Sequence, residues 1–131
     1  MSDLAIIDPN LLAIVKGSFT TEGMPMPFVQ EIFLIECKVA GTSYLNLKEI
    51  EPNLQIDEIL LTRREPENEF DEFAILILTQ KGEKLGYVPR DKNEILARLM
   101  DAGKLVIAKI VEKKWIGNWL NITMNLYMRD I

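Results

Sequence analysis

The sequence predicts a mainly β fold, a small closed or partly open barrel of about six short strands with one main helix. Three observations predict it. Several segments alternate apolar and polar residues with a period of two, turn-forming residues separate them, and a single connection carries helical periodicity. A parallel sheet would need a long crossover after almost every strand. The 131 residues suit one domain and one core without disulfide or metal staples.

Residues 1–30 read as an N-terminal extension. Asp8-Pro9 has the form of a cap followed by a first-turn proline, and Gly17 is placed to end a short helix there; the apolar run 11–15 fits a strand equally well. Pro25 and Pro27 push their predecessors out of the helical region, so residues 23–27 are extended. The barrel is expected over residues 31–131. In its first strand, 31–39, Phe33, Ile35, Cys37 and Val39 share one face, with Glu36 and Lys38 on the other. Asn46 and Glu49 have capping-box spacing, and Pro52 stops any helix after little more than a turn.

Residues 59–63 and 73–79 read as strands, residues 80–83 as a turn, and 84–88 as a short returning strand. The main helix follows. Asp91 is its expected N-cap with Glu94 three residues on, Ile95, Leu96, Leu99 and Met100 form its apolar stripe, and Gly103 ends it. Residues 105–111 and 119–128 are the last strands. In the second of these, Leu120, Ile122, Met124, Leu126 and Met128 face one way, and Asn121, Thr123 and Asn125 the other.

Composition removes several kinds of chemistry. The chain has one cysteine, Cys37, and no histidine. Ser-His-Asp and Cys-His catalysis are therefore excluded, the usual zinc ligand sets cannot be assembled, and no cofactor is expected. The acidic run of Glu65, Glu67, Glu69, Asp71 and Glu72 lies between strands and reads as a solvated loop rather than a metal or acid–base site. No phosphate-cradling glycine loop or nucleophile elbow is present. Residues 1–4 carry no basic run, and no apolar stretch is long enough to span a bilayer. A cytoplasmic protein without membrane contact is the expectation.

Net charge is −5, which by itself disfavours a polyanionic partner. The charge is uneven: residues 1–80 hold 5 basic and 14 acidic side chains, and residues 81–115 hold 9 basic and 5 acidic. A local basic face on an acidic protein still attracts phosphate, although a solvated surface explains the same pattern. Tyr44, Phe70, Tyr87, Trp115 and Trp119 supply aromatic rings, and Arg63, Arg64, Lys84, Arg90 and Lys92 supply cations. Aromatic platforms beside a cationic groove are the equipment of single-strand binders, whereas an aromatic in a strand more often belongs to the core.

Arg64-Glu65-Pro66-Glu67-Asn68-Glu69-Phe70-Asp71-Glu72-Phe73-Ala74-Ile75 resembles the signature of the HIRAN domain family. Two further blocks agree in order: Val39-Ala40-Gly41-Thr42-Ser43-Tyr44, and Gly82-Glu83-Lys84-Leu85-Gly86-Tyr87-Val88-Pro89-Arg90 followed by Asn93-Glu94 and Leu96-Ala97. The resemblance covers residues 31–128. It implies a six-stranded OB-like barrel with one main helix and one or two short ones. It also implies a module without catalysis of its own, which binds single-stranded DNA ends or damaged and stalled DNA structures.

A member of the family grips a 3′ end with an aromatic sandwich, a carboxylate to the 3′-hydroxyl and basic or hydroxyl groups on phosphates. The matching positions are Tyr44, Asn68, Phe70, Asp71, Tyr87 and Arg90, with Ser43 and Arg64 beside them. Ser43 stands where that member has arginine, Leu45 where it has a second tyrosine, Phe70 where it has tyrosine, and Ile122 is the nearest match to an aromatic of the last strand. Each position also has a plainer role. Asn68 and Asp71 are suited to capping a loop, Arg64 to pairing with an acid, Tyr87 to the barrel rim and Cys37 to the core. The implied partners are DNA and a neighbouring helicase or nuclease protein, and homo-oligomers are compatible with the pattern. The alternative is a protein- or peptide-interaction module using the same barrel surface, or the apolar segment 24–28.

Overall fold

The computed structural model describes residues 30–130, with the side chain of residue 130 excepted. The expected helix at residues 8–17 with its alternative, a strand at 11–15, the extended residues 23–27 and the apolar segment 24–28 of the alternative reading lie outside the described residues. Contacts divide the chain into Met1–Ile32 with Arg129–Ile131, and Phe33–Met128. In the described part of the first, Arg129 pairs with Glu31 at 2.9 Å.

Six strands form one sheet: β1 (Gln30–Lys38), β2 (Ile59–Arg64), β3 (Ile75–Leu78), β4 (Lys84–Tyr87), β5 (Leu105–Ile116) and β6 (Trp119–Asp130). Their order is β1-β6-β5-β2-β3-β4. All are antiparallel, and the sheet curls into a half-barrel, as the alternation predicts. The inward face holds Leu60, Ile75, Ile77, Leu85, Ile110, Leu120, Ile122, Met124 and Leu126, each fully buried. Burial of each such side chain contributes roughly 1.5–3 kcal/mol before entropy is counted. In β6, Leu120, Ile122, Met124 and Leu126 are the buried residues of the expected apolar face. In β1 the face fades outward, from buried Cys37 to exposed Phe33.

The edges meet at one point. Beyond β1, Ala40 bridges Tyr87 of β4, with Ala40 N–H donating to the Tyr87 carbonyl at 2.7 Å and Tyr87 N–H to the Ala40 carbonyl at 2.9 Å. Gly86 makes this approach feasible. Its φ is +151°, and a Cβ there would lie 2.3 Å from the Ala40 carbonyl oxygen and 2.7 Å from a Val39 methyl.

The helix α1 (Asn93–Asp101) crosses between β4 and β5. Two expectations for it need correction. Its N-cap is Lys92 rather than Asp91, and no side chain caps it. The turn that precedes it is closed by the backbone, Lys92 N–H to the Pro89 carbonyl at 3.0 Å. Its inward residues are Asn93, Leu96 and Ala97, with Met100 packed on the core, while Ile95 is 73% exposed. Helical periodicity put Ile95 on the apolar stripe and did not include Asn93 in it. The buried side of the helix instead follows Asn93, which the fold needs inside for a polar contact described below. The end at Gly103, with φ +94°, is as expected.

Two short 3-10 turns, Thr42–Tyr44 and Glu51–Asn53, complete the fold. Pro52 lies inside the second rather than ending a helix before it. A proline is tolerated in a first turn, where its missing N–H has no partner to lose.

Candidate functional site

Three segments converge at the bridge that joins the sheet edges. The first is the turn after β1. Gly41 takes left-handed backbone, φ +82° and ψ 9°, which reverses the chain into the Thr42–Tyr44 turn. Thr42 is buried, and the Tyr44 ring projects outward with 90% of the residue exposed.

The second is the loop from β2 to β3. Asn68 Oδ1 accepts the N–H groups of Phe70 at 2.8 Å and Asp71 at 3.2 Å, and Asp71 Oδ1 accepts the N–H of Phe73 at 2.9 Å. These local bonds satisfy a tight turn that has no ladder partners. The turn throws Phe70 out to 79% exposure. Arg64 staples the base of the loop. It donates to the Ala74 carbonyl at 2.7 Å, the Glu72 carbonyl at 3.0 Å and the Asp101 carboxylate at 2.9 Å and 3.2 Å.

The third segment is β4 with the residues after it. The Tyr87 hydroxyl donates to Glu65 Oε1 at 2.8 Å, and Asn68 Nδ2 donates to the same oxygen at 3.1 Å. Lys84 Nζ lies 5.0 Å from the Tyr87 ring centre. Burial raises the Glu65 carboxyl, but the Tyr87 and Asn68 bonds together with Lys84 and Arg63 outweigh it and hold the carboxyl below its ordinary value. Arg90 is 75% exposed, donates to the Phe70 carbonyl at 3.0 Å, and brings its Nε to 3.8 Å from Asp71 Oδ2.

Between these segments is a cavity of about 350 Å³. That volume lies at the small end of ligand pockets, roughly 300–1,000 Å³. Tyr44, Asn68, Phe70, Asp71, Tyr87 and Arg90 all line it, so six of the eight residues singled out in the sequence share one site. The other two do not line it. Ser43 is exposed beside Tyr44 in the short turn, and the Arg64 guanidinium is engaged in holding the loop. Trp115 and Trp119 lie on the β5–β6 hairpin, where Trp115 borders a separate hollow with Lys48 and Glu51. Ile122 is wholly buried and offers no stacking surface.

Lys84, named in the sequence among the candidate cations but not among the positions matching the family's site, lines the cavity. The signal was present in the third block, where it stands two residues before the closing Gly86. The two most exposed aromatic rings of the described residues flank this hollow, against the ordinary preference for aromatics in the core. The site thus offers flat apolar faces, two cations and one carboxylate. No activated thiol joins them: Cys37 is in the core, and burial pushes its thiol up to about 11. Among the described residues, no acidic or thiol side chains group in a way that would hold a metal ion, and no helix is long and apolar enough to cross a membrane.

The family model described as HIRAN domain matches residues 32–129. No curated protein matches the chain. Among solved structures, a protein from Lactobacillus plantarum aligns with a TM-score of 0.72 and 24% identity, over 79% of this chain and 99% of that one. The HIRAN domain of human HLTF aligns with a TM-score of 0.59 and 17% identity, over 76% of this chain and 78% of that one. At these identities the structural likeness is one of fold.

Proposed function

Because this chain belongs to the HIRAN domain family, whose members are generally nucleic-acid-binding modules, we propose that its cavity captures the free 3′ end of single-stranded DNA without catalysis. The observation that carries the reading is the pair of outward rings, Tyr44 and Phe70, set on the rim of a cavity that also holds Asp71 and Arg90. The rings stack on the terminal base. Stacking is sequence-tolerant because every base has a π-face. Arg90 and Lys84 neutralise phosphates. Asp71 accepts a hydrogen bond from the terminal 3′-hydroxyl and repels a phosphate in its place. In this reading the module presents an end to a helicase or nuclease acting beside it.

A polarisation titration with short labelled oligonucleotides tests this. A free 3′-hydroxyl is expected to bind about tenfold or more tightly than a 3′-phosphate, the value of a charge-assisted hydrogen bond. Asp71→Asn is expected to narrow that gap. Equal binding of both ends to the wild-type protein removes the role given to Asp71.

A second reading, a protein- or peptide-binding barrel surface, is favoured by the net charge of −5 and by apolar residues such as Ile95, 73% exposed, and Leu105, 53% exposed. Arg90→Glu separates the two. It is expected to abolish DNA binding at low salt, since it reverses a cation beside Asp71, and to leave a peptide partner bound elsewhere on the barrel unaffected. Unchanged DNA affinity in this variant would decide for the second reading.

A further inference from the structure

We propose that Asn93 is a positioning residue for end recognition, the group that aims the Asp71 carboxylate into the cavity. The inference rests on the 3′-hydroxyl reading above and adds a residue that does not line the cavity. Asn93 is 2% exposed on the first turn of α1. Its Nδ2 donates to Asp71 Oδ2 at 2.7 Å, across 22 residues of sequence. A carboxylate only accepts, so the amide nitrogen must be the atom that faces it.

Asp71 itself is 16% exposed and lines the cavity. Its Oδ1 is held by the Phe73 N–H at 2.9 Å and its Oδ2 by Asn93, while the charged group facing it is Arg90, whose Nε stands 3.8 Å from Oδ2. An ionised carboxylate offers about four acceptor positions, so these bonds fix its plane and leave about two open. The Phe73 bond is local to the loop and fixes the carboxylate only relative to the loop's own backbone. Asn93 ties the carboxylate of Asp71 itself to a separate, packed element, and it orients that carboxylate relative to the helix that follows Arg90. Without it the carboxylate rotates with the loop, and the open acceptor positions no longer address a fixed point.

Asn93→Asp and Asn93→Leu test this, each checked first for a cooperative melt. The probes are two short oligonucleotides that differ only at the terminus, one 3′-hydroxyl and one 2′,3′-dideoxy, so that neither end titrates. The wild-type protein is expected to prefer the hydroxyl end about tenfold, independently of pH between 5 and 8. Asn93→Leu is expected to lose that preference while keeping its affinity for the dideoxy probe within about twofold. In Asn93→Asp the introduced carboxyl meets Asp71 at hydrogen-bond distance, and two such groups share one proton at a raised pKa. The preference is then expected near pH 5, where the shared proton restores the bond, and absent near pH 8.

A purely structural asparagine would change melting and total affinity and leave the ratio and its pH profile alone. If the wild-type protein prefers the hydroxyl end and folded Asn93→Leu and Asn93→Asp keep that preference at every pH, the positioning role is overturned and the end-binding reading stands. No preference in the wild-type protein overturns the end-binding reading, and this inference with it.

Discussion

Replacing Tyr44 and Phe70 together by alanine is expected to weaken binding of a short single strand by about 30-fold to 1,000-fold. Each base-to-ring stack contributes about 1–3 kcal/mol by alanine substitution. Two rings on one terminal base do not add fully, which places the pair at about 2–4 kcal/mol. The fold should be nearly indifferent. Tyr44 is 90% exposed and Phe70 79% exposed, so neither ring fills core volume. Exposed substitutions of this kind usually change stability by about 0.5 kcal/mol or less. A melting curve within a few degrees of wild type, beside a titration that has lost most of its affinity, is the expected combination. A double variant that binds as well as wild type would show that the rings are not the platform.

The second large effect is on the barrel. Gly86→Ala is expected to destabilise the protein by about 2–6 kcal/mol, from backbone strain of about 1–3 kcal/mol and overpacking of similar size. The added Cβ would lie 2.3 Å from the Ala40 carbonyl oxygen, so the Ala40–Tyr87 bridge must open. Opening it separates the two cavity walls, and DNA binding should fall with the melting temperature. Gly41→Ala is the control. Gly41 also has positive φ, but nothing lies within 4 Å of a Cβ there, so it should show only the left-handed backbone cost of roughly 1–2 kcal/mol. Differential scanning calorimetry of the two variants separates strain from collision. Equal, small losses in both would mean that the edges do not need to meet at Gly86.

The barrel was legible because its signals are local. Period-two alternation in β6 and the Gly103 helix end each depend on a few neighbouring residues, and both stand in the structure. The helix face was misread because Ile95 is apolar and Asn93 polar, and hydropathy assigns them accordingly. Asn93 is buried because a carboxylate from another loop requires a donor at that place. For Arg64 the sequence left two roles open, a place at the site and a pairing with an acid, and only the fold separates them. Its motif position marks it as special, yet its guanidinium is committed to two carbonyls and Asp101, 37 residues away. Lys84, Arg63 and Lys92 are indistinguishable as cations in a sequence. Only Lys84 reaches the cavity wall, because β4 borders the closing bridge.

By itself the sequence determined the family, the mainly β fold, the absence of histidine chemistry and the two aromatics, Tyr44 and Phe70, that stand outside strands. Those features are written in residue type and short-range spacing, which the chain carries before it folds. Tertiary structure alone decided which polar groups are free to act. Asp71, Tyr87 and Arg64 commit hydrogen bonds to Asn93, Glu65 and Asp101, each on another segment, and a hydrogen bond between distant residues is a property of closure, fixed only when those segments come together.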